Sequence, residues 1–346
     1  MTRILLCCLL ALLPYASASA VEVDVYTGQA VVADQSAAER RAALPAALGH
    51  ALLKLSGVRT LDDYPQAAAA LKGAAAILVT SYYRNVEIPM ADGSLQNELR
   101  LNARFSPAAV DELARSPGLP LWQPDRKPTE IWVVVDDGMG REVMPMEIEY
   151  VRAALDQTAL MRGMPLNWPQ PDEEGMYPVD MQLLWGGYTE DLASPRGDGV
   201  LILAARREGA QWSVRANLGF EGQNRAWRFR ELDLQRALVN GLEQAIDQIA
   251  MSSAIAATDL GTWEHELMIS GLRNPKDYQR CLSVLQGNAI VSRVDVVAAK
   301  ASDVTFRLQL TALPQYLEDD LKNSGVFEFD EDDSRFYMKG TLPDDR

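Results

Sequence analysis

Residues able to do chemistry are few and widely spaced in this chain. It has two histidines, His50 and His265, and three cysteines, Cys7, Cys8 and Cys281. There is no Gly-x-Ser-x-Gly elbow for a serine nucleophile, and no Cys-x-x-Cys or His-x₃-His spacing for zinc. We therefore predict no catalytic residue, no metal site and no cofactor.

One loop is placed where α/β proteins bind ligands. The sequence Asp136-Asp137-Gly138-Met139-Gly140 follows an apolar run that predicts a buried strand, and it precedes a predicted helix. It lacks the third glycine of a dinucleotide fingerprint and the Gly-Lys-Ser/Thr of a phosphate loop. An ordinary turn is the simpler interpretation. Asp136 and Asp137 are the candidate ligand loop, and an alternative is a carboxylate-dependent hydrolase with Asp136 or Asp137 as its acid or base.

The tryptophans are concentrated in the middle of the chain. All seven lie between positions 122 and 263. Such a concentration is typical of an aromatic core, and an alternative is a face that binds carbohydrate or peptide. Trp122 stands in a proline-rich segment close to Arg126, where a large aromatic clamps two domains or contacts a partner. Trp122 and Arg126 are therefore candidate partner-binding residues.

The first twenty residues have the three-part pattern of a secretory signal. Arg3 is followed by an apolar stretch, residues 4–13, that is too short to span a bilayer, and Ala18-Ser19-Ala20 offers a cleavage site. We predict cleavage between Ala20 and Val21 and a periplasmic location. No later apolar run has the length of a membrane helix, so we expect no transmembrane segment in the mature chain.

The charge of the chain is strongly acidic, with a formal net value of −15. Such a surface repels phosphate backbones, which predicts that nucleic acid is not a partner. We expect instead a protein partner in the cell envelope.

The order of predicted elements indicates a multidomain protein of mixed α+β and α/β class. Ser36 to Glu39 has the pattern of a capping box that opens a helix ending at Gly57. Three prolines within residues 119–128 predict an extended linker. The predicted units are a signal peptide (1–20), an N-terminal α+β domain with a β-hairpin (21–118), the Pro-rich linker (119–128), a central α/β domain (129–256), a C-terminal domain (260–340) and a tail (341–346).

The C-terminal domain has the clearest predicted topology. Strands are expected at 263–270, 289–297, 303–310 and 335–339, and helices at 275–285 and 313–323. This βαββαβ order predicts a ferredoxin-like fold. That fold hosts catalysts and binding modules alike, so it does not select a function.

Several segments resemble a known family. They are a Val-rich first strand with Tyr26, Arg40-Arg41 in a helix that ends at Leu55-Ser56-Gly57, the Tyr82-Tyr83 strand, and Gly118-Leu119-Pro120-Leu121-Trp122 followed by Arg126. Together they resemble an uncharacterised Gram-negative envelope family catalogued as domain of unknown function 2066, over residues 23–249. The resemblance implies an envelope protein and brings no activity, cofactor or catalytic residue.

These observations together predict an exported, soluble periplasmic accessory protein. We expect a non-catalytic binding or assembly module of the cell envelope. The alternatives are the hydrolase centred on Asp136 and Asp137, and a carbohydrate- or peptide-binding protein that uses the central tryptophans.

Overall fold

The computed structural model describes residues 21–115, 118–145, 148–192 and 199–340. The predicted signal peptide, with Ala20, and the predicted tail at 341–346 lie outside the described residues; Val21 is the first residue inside them. The described chain is a mixed α+β protein with several sheets and three main hydrophobic clusters.

The N-terminal unit packs one long helix on a small antiparallel sheet. Its elements are β1 (Val21–Glu22), β2 (Thr27–Val31), α1 (Ala37–Ser56), α2 (Pro65–Ala70), β3 (Leu78–Pro89), β4 (Leu95–Phe105) and α3 (Pro107–Arg115). The strand order is β2-β4-β3, and β3 and β4 form the expected hairpin. The β2 backbone lies so close to α1 that a Cβ at Gly28 would stand 1.7 Å from the Ala47 carbonyl oxygen.

The ends of α1 follow from its sequence. The Ser36 side chain accepts a hydrogen bond from the Glu39 backbone amide, which satisfies one of the free donors of the first turn. Gly57 ends the helix with a φ of 72°, a left-handed conformation that favours glycine. Both ends of this helix were predicted correctly.

The central unit is built on a mixed sheet with helices on both faces. Its elements are β5 (Asp125–Arg126), β6 (Thr129–Asp136), β7 (Arg141–Val143), α4 (Glu149–Arg162), β8 (Leu166–Asn167), α5 (Met181–Gly186), β9 (Gly199–Glu208), β10 (Gln211–Phe220), β11 (Gln223–Glu231) and α6 (Leu234–Ser253). The strand order is β11-β10-β9-β6-β7, and β8 also pairs with β6. β6 runs parallel to β8 and β9, whereas β9, β10 and β11 form an antiparallel meander.

The two faces of the central sheet carry different side chains. On one face Val133, Leu203 and Val214 pack with α4 and α6 in the largest apolar cluster. On the other face Trp132 and Ile202 pack with Leu184 of α5 in a smaller cluster. The smaller cluster covers β6 and β9, and the polar part of that face lies on β10 and β11.

The C-terminal unit holds the last sheet. Its elements are β12 (Leu260–Ser270), α7 (Pro275–Gly287), β13 (Val291–Lys300), β14 (Asp303–Ala312), α8 (Pro314–Asn323), β15 (Phe327–Asp330) and β16 (Arg335–Met338). The strand order is β13-β14-β12-β16-β15.

This order departs from the predicted four-stranded topology. The chain forms an additional strand, β15, directly after α8, and β16 then turns back to pair with it. β16 lies next to β12 and runs parallel to it, whereas the corresponding strand of a ferredoxin-like sheet is antiparallel to the first. The apolar pair Phe327 and Phe329 explains β15, because both side chains pack beside Phe336.

No helix among the described residues is both long and apolar enough to cross a membrane.

Candidate functional site

The structure places Asp136 at the end of β6 and Asp137 in the turn that follows. The Asp136 Oδ1 atom accepts a hydrogen bond from the Gly138 amide at 3.2 Å, and Asp137 Oδ1 accepts one from the Met139 amide at 2.9 Å. Both carboxylates therefore shape the loop. Gly138 has a φ of 101°, which suits a glycine in this turn.

Asp136 also pairs with two arginines. Its Oδ2 atom lies 3.4 Å from Nε of Arg206 on β9 and 3.9 Å from Nε of Arg141 on β7. The register explains this meeting, because Asp136 stands directly opposite Arg206 on one side and Arg141 on the other. The carboxylate is thus a counterion for two guanidinium groups. No other carboxylate in the described chain pairs with either arginine.

Trp185, at the end of α5, lies against the same arginines. The guanidinium carbon of Arg141 is 4.3 Å from the centroid of the indole ring, and that of Arg206 is 5.2 Å from it. Arg215 on β10 donates a hydrogen bond to the Trp185 carbonyl oxygen. These cation–π and hydrogen-bonding contacts hold the arginine side chains in fixed positions beside the sheet.

The cationic surface continues across β10 and β11. Arg228 stands directly opposite Arg215, and Arg230 stands opposite Ser213 and pairs with Glu208 at 3.2 Å. We call this surface the arginine face; it consists of Arg141, Arg206, Arg215, Arg228 and Arg230. Two carboxylates, Asp136 and Glu208, pair with it.

The Arg215 and Arg228 pair is electrostatically unusual. Within the described residues neither side chain has a carboxylate partner within 4 Å. Partial burial lowers the pKa of the Arg215 guanidinium, and the charge of Arg228 lowers it further. The Arg215 Nε atom is buried without a hydrogen-bond partner in the described structure. Two neighbouring cations that lack a carboxylate partner are suited to binding an anion.

Trp122 and Arg126 lie in a buried contact between the N-terminal and central units. Each is 3% exposed, and the guanidinium carbon of Arg126 is 3.6 Å from the centroid of the Trp122 ring. The Trp122 amide donates to the Leu55 carbonyl oxygen at the end of α1, at 2.8 Å. The structure therefore gives these residues an internal role, and partner binding by them stays a prediction that requires this contact to open.

Arg126 joins the two units through backbone carbonyl groups. It donates to the carbonyl oxygens of Lys54 at 2.6 Å, Gly163 at 2.5 Å, Trp122 at 3.0 Å and Gln123 at 2.9 Å. We call this contact the linker joint; it consists of Lys54, Trp122, Arg126 and Gly163. Burial lowers the pKa of Arg126 to about 9, which still leaves the group charged at neutral pH.

Buried cations surround the linker joint. Lys54 Nζ donates to the carbonyl oxygens of Asp24 and Thr27, each at 2.5 Å, and burial lowers its pKa to about 8. Arg162, 3% exposed, donates to the Gly57 carbonyl oxygen and pairs with Asp247 and Glu243 of α6. The sequence analysis missed both residues, although a basic residue in the last turn of each helix was a usable signal.

The two histidines and Cys281, the other candidates for chemistry, are held in contacts that stabilise the fold. His50 Nδ1 accepts a hydrogen bond from the Gln29 amide at 2.8 Å, and burial lowers the pKa of His50 to about 4. Burial raises the pKa of the Cys281 thiol to about 12. The Nε2 atom of His265 lies 3.7 Å from the Oε1 atom of Glu318. Among the described residues, no three His, Cys, Asp or Glu side chains form a group that could hold a metal.

Comparison with known proteins corrects the family resemblance. Residues 19–123 match the model of a family described as Domain of unknown function (DUF8605). The resemblance inferred from the sequence named domain of unknown function 2066, a different family, and that inference was wrong. The segments that carried it form a helix end, a hairpin strand and a proline-rich connection, which unrelated proteins also need.

Wider comparisons add little to this result. No curated protein matches the chain. One solved structure, titled "Crystal structure of uncharacterized protein", has 14% sequence identity and a TM-score of 0.15. Its match covers 36% of this chain and 86% of that chain. A TM-score this low carries no argument about fold or function.

Proposed function

We propose that this protein is an exported, periplasmic accessory protein of the cell envelope that binds an anionic partner and catalyses no reaction. The arginine face is its binding surface. Asp136 and Trp185 orient the arginine side chains of this face. The face is therefore suited to recognising negative charge. The secretory pattern in residues 1–20 supports export.

The observation that carries this proposal is the pair Arg215 and Arg228. Like charges placed directly opposite each other on neighbouring strands destabilise a sheet. In a chain with a net charge of −15, carboxylates are abundant, yet none of the described ones lies within 4 Å of this pair. A bound anion would remove the repulsion, so the arrangement favours an anionic ligand over an empty surface.

The test compares matched arginine substitutions. Polyglutamate serves as the probe, and its affinity is measured at several salt concentrations. We expect the double variant Arg215→Gln, Arg228→Gln to bind about tenfold more weakly than the wild type, and to show a smaller dependence on salt. Arg225→Gln is the control, because Arg225 lies on the same strand but on the opposite face. Equal affinity in all three proteins would refute the proposal.

Export has a separate test. The mass of the mature protein recovered from the periplasm is expected to correspond to a chain that begins at Val21. Recovery of the uncut chain from the cytoplasm would contradict this part of the proposal.

We also infer that the C-terminal unit is an elaborated ferredoxin-like domain. The order β12, α7, β13, β14, α8 and the sheet order β13-β14-β12 support this. In this interpretation β16 is an insertion between β12 and β15. An experimental structure in which β15 runs parallel to β12 would contradict it.

A further inference from the structure

Among the described residues, β11 is an edge strand of the central sheet. Its nine residues pair with β10 in an unbroken register. Phe220 and Gln223 flank a two-residue turn, Glu221-Gly222, in which both residues have positive φ. Because the residues flanking such a turn are hydrogen-bonded to each other, alternate residues beyond them point their amide and carbonyl groups away from β10. These residues are Asn224, Ala226, Arg228 and Arg230.

All four of these positions are exposed. Thr189 and Glu190 contact the Asn224 side chain and so occupy space beside the start of the strand. Ala226, Arg228 and Arg230 are exposed, and their outward amide and carbonyl groups have no hydrogen-bond partner among the described residues. No described strand pairs with this side of β11, so its backbone can accept an extended chain.

Other edges in the described structure are less suited to accepting a strand. β13 has two register shifts, and β2, β7 and β15 have only three to five residues each. β3 has a shift near its start and ends at Pro89. Irregular and short edges of this kind discourage pairing with other chains. β11 has no proline and no register shift, and its three arginines discourage pairing with a basic strand but favour an acidic one.

The same residues that offer free backbone groups contribute to the arginine face. Arg228 and Arg230 stand opposite Arg215 and Ser213 of β10, so their side chains point to that face. In a strand added beside β11, the residues opposite Arg228 and Arg230 are two positions apart and also point to that face. Cross-strand pairs of opposite charge at those positions would be stabilising.

We propose that β11 accepts an extended segment of an acidic partner protein as an added strand, with carboxylates at alternate positions facing Arg228 and Arg230. The proposal rests on the proposed function and specifies the partner and its mode of binding. Charge complementarity selects the occupant, and the free backbone groups between the charged positions select an extended conformation.

The first experiment uses synthetic peptides with the full-length mature protein. The test peptide has glutamate at alternate positions separated by threonine and valine, and a control peptide has the same composition with the glutamates contiguous. A third peptide repeats the alternating sequence with N-methyl groups on alternate amides, which removes hydrogen-bond donors. We expect the contiguous peptide to bind about fivefold more weakly and the N-methylated peptide about tenfold more weakly, measured by fluorescence anisotropy.

The second experiment changes the protein. Ala226→Pro removes an outward amide without removing a bond to β10, so the sheet is expected to persist. This variant should lose about tenfold in affinity for the alternating peptide. Arg228→Gln should lose about two- to fivefold, and Arg225→Gln, on the opposite face, should bind as the wild type does. Thermal unfolding of each variant checks that it is folded.

The outcomes separate this inference from the proposed function. If all three peptides bind equally well and Arg228→Gln weakens each of them, the arginine face binds anions without strand addition, and the present inference is overturned. If neither the peptides nor polyglutamate bind more weakly when Arg215 and Arg228 are substituted, the proposed function fails as well. Self-association that Ala226→Pro abolishes would instead identify a second copy of the chain as the occupant and overturn the acidic-partner proposal.

Discussion

Replacing Arg126 by alanine should separate the N-terminal and central units. The guanidinium group is buried and no described carboxylate pairs with it. Its acceptors are backbone carbonyl groups from the end of α1, the residue after α4, and the linker itself. The carbonyl ends of two helices carry partial negative charge, so they stabilise the buried cation. Truncation removes this cation and leaves those carbonyl groups without their donor.

The magnitude follows from these contacts. A hydrogen bond from a charged donor contributes about 1.5–3 kcal/mol, and contributions within one network are not additive. The contact with the Trp122 ring adds about 1–2 kcal/mol, because it is desolvated. Disruption of a buried hydrogen-bond network causes destabilisation in the upper part of the range seen for single substitutions. We therefore expect Arg126→Ala to reduce the free energy of unfolding by about 4 kcal/mol.

The assay is unfolding in urea, followed by tryptophan fluorescence and far-UV circular dichroism. We expect the first transition of Arg126→Ala to move to lower urea and the two signals to lose coincidence, because units of a multidomain chain unfold separately once uncoupled. Arg126→Lys should recover less than half of the loss, since an ammonium group lacks the planar fork that reaches both helices. Arg104→Ala, at a half-exposed arginine, is the control and should change stability by less than about 0.5 kcal/mol.

The reasoning would be refuted by a loss of less than about 1 kcal/mol in Arg126→Ala with coincident transitions. Such a result would mean that water replaces the guanidinium group among the four carbonyl groups at little cost. Full recovery by Arg126→Lys would show that charge alone is sufficient, and the geometric part of the argument would be wrong.

Three further predictions concern single buried positions. Gly57→Ala should destabilise by about 2–3 kcal/mol in thermal unfolding, because φ is 72° and the new Cβ would lie 2.7 Å from Ala250 Cβ. His50 has a lowered folded pKa of about 4, so its contribution to stability is full above pH 6.5 and is lost as the pH falls towards 4; the decline measured by urea unfolding should be shallower in His50→Gln. Cys281, with a pKa raised to about 12, should react with a thiol reagent at neutral pH only after unfolding, and rapid labelling of the native protein would contradict this.

Local signals predicted local structure well. The Ser36 cap and Gly57 determine the two ends of α1, and both can be identified from residue type alone. The β3–β4 hairpin follows from the alternation in its second strand and the Asp92-Gly93 turn. Each of these features depends on interactions within a few residues, which is why spacing and residue type suffice for them.

The strand order of the C-terminal sheet could not be predicted from such local signals. Whether the strand after α8 pairs beside β12 depends on how Phe327, Phe329 and Phe336 pack together, and this is a tertiary contact. The four residues of β15 are also followed by an acidic turn at residues 331–334. A short apolar alternation inside an acidic segment gave too weak a pattern to predict an additional strand.

For a related reason, only part of the candidate site could be predicted from the sequence. Asp136 could be selected by its position after a buried strand, but its partners Arg141, Arg206 and Trp185 come from three other elements. Arg206, Arg215, Arg228 and Arg230 share one face because two hairpins fold them into register, and each hairpin turn has two residues. Had the turns been placed first, the alternation of two along each strand would have put these arginines together.

The acidic composition favoured a surface that repels anions. A net charge of −15 describes the whole chain, however, and conceals a local surface of opposite sign. The sign of a binding surface therefore has to be argued from strand register, and the whole-chain charge sets only the background against which that surface acts.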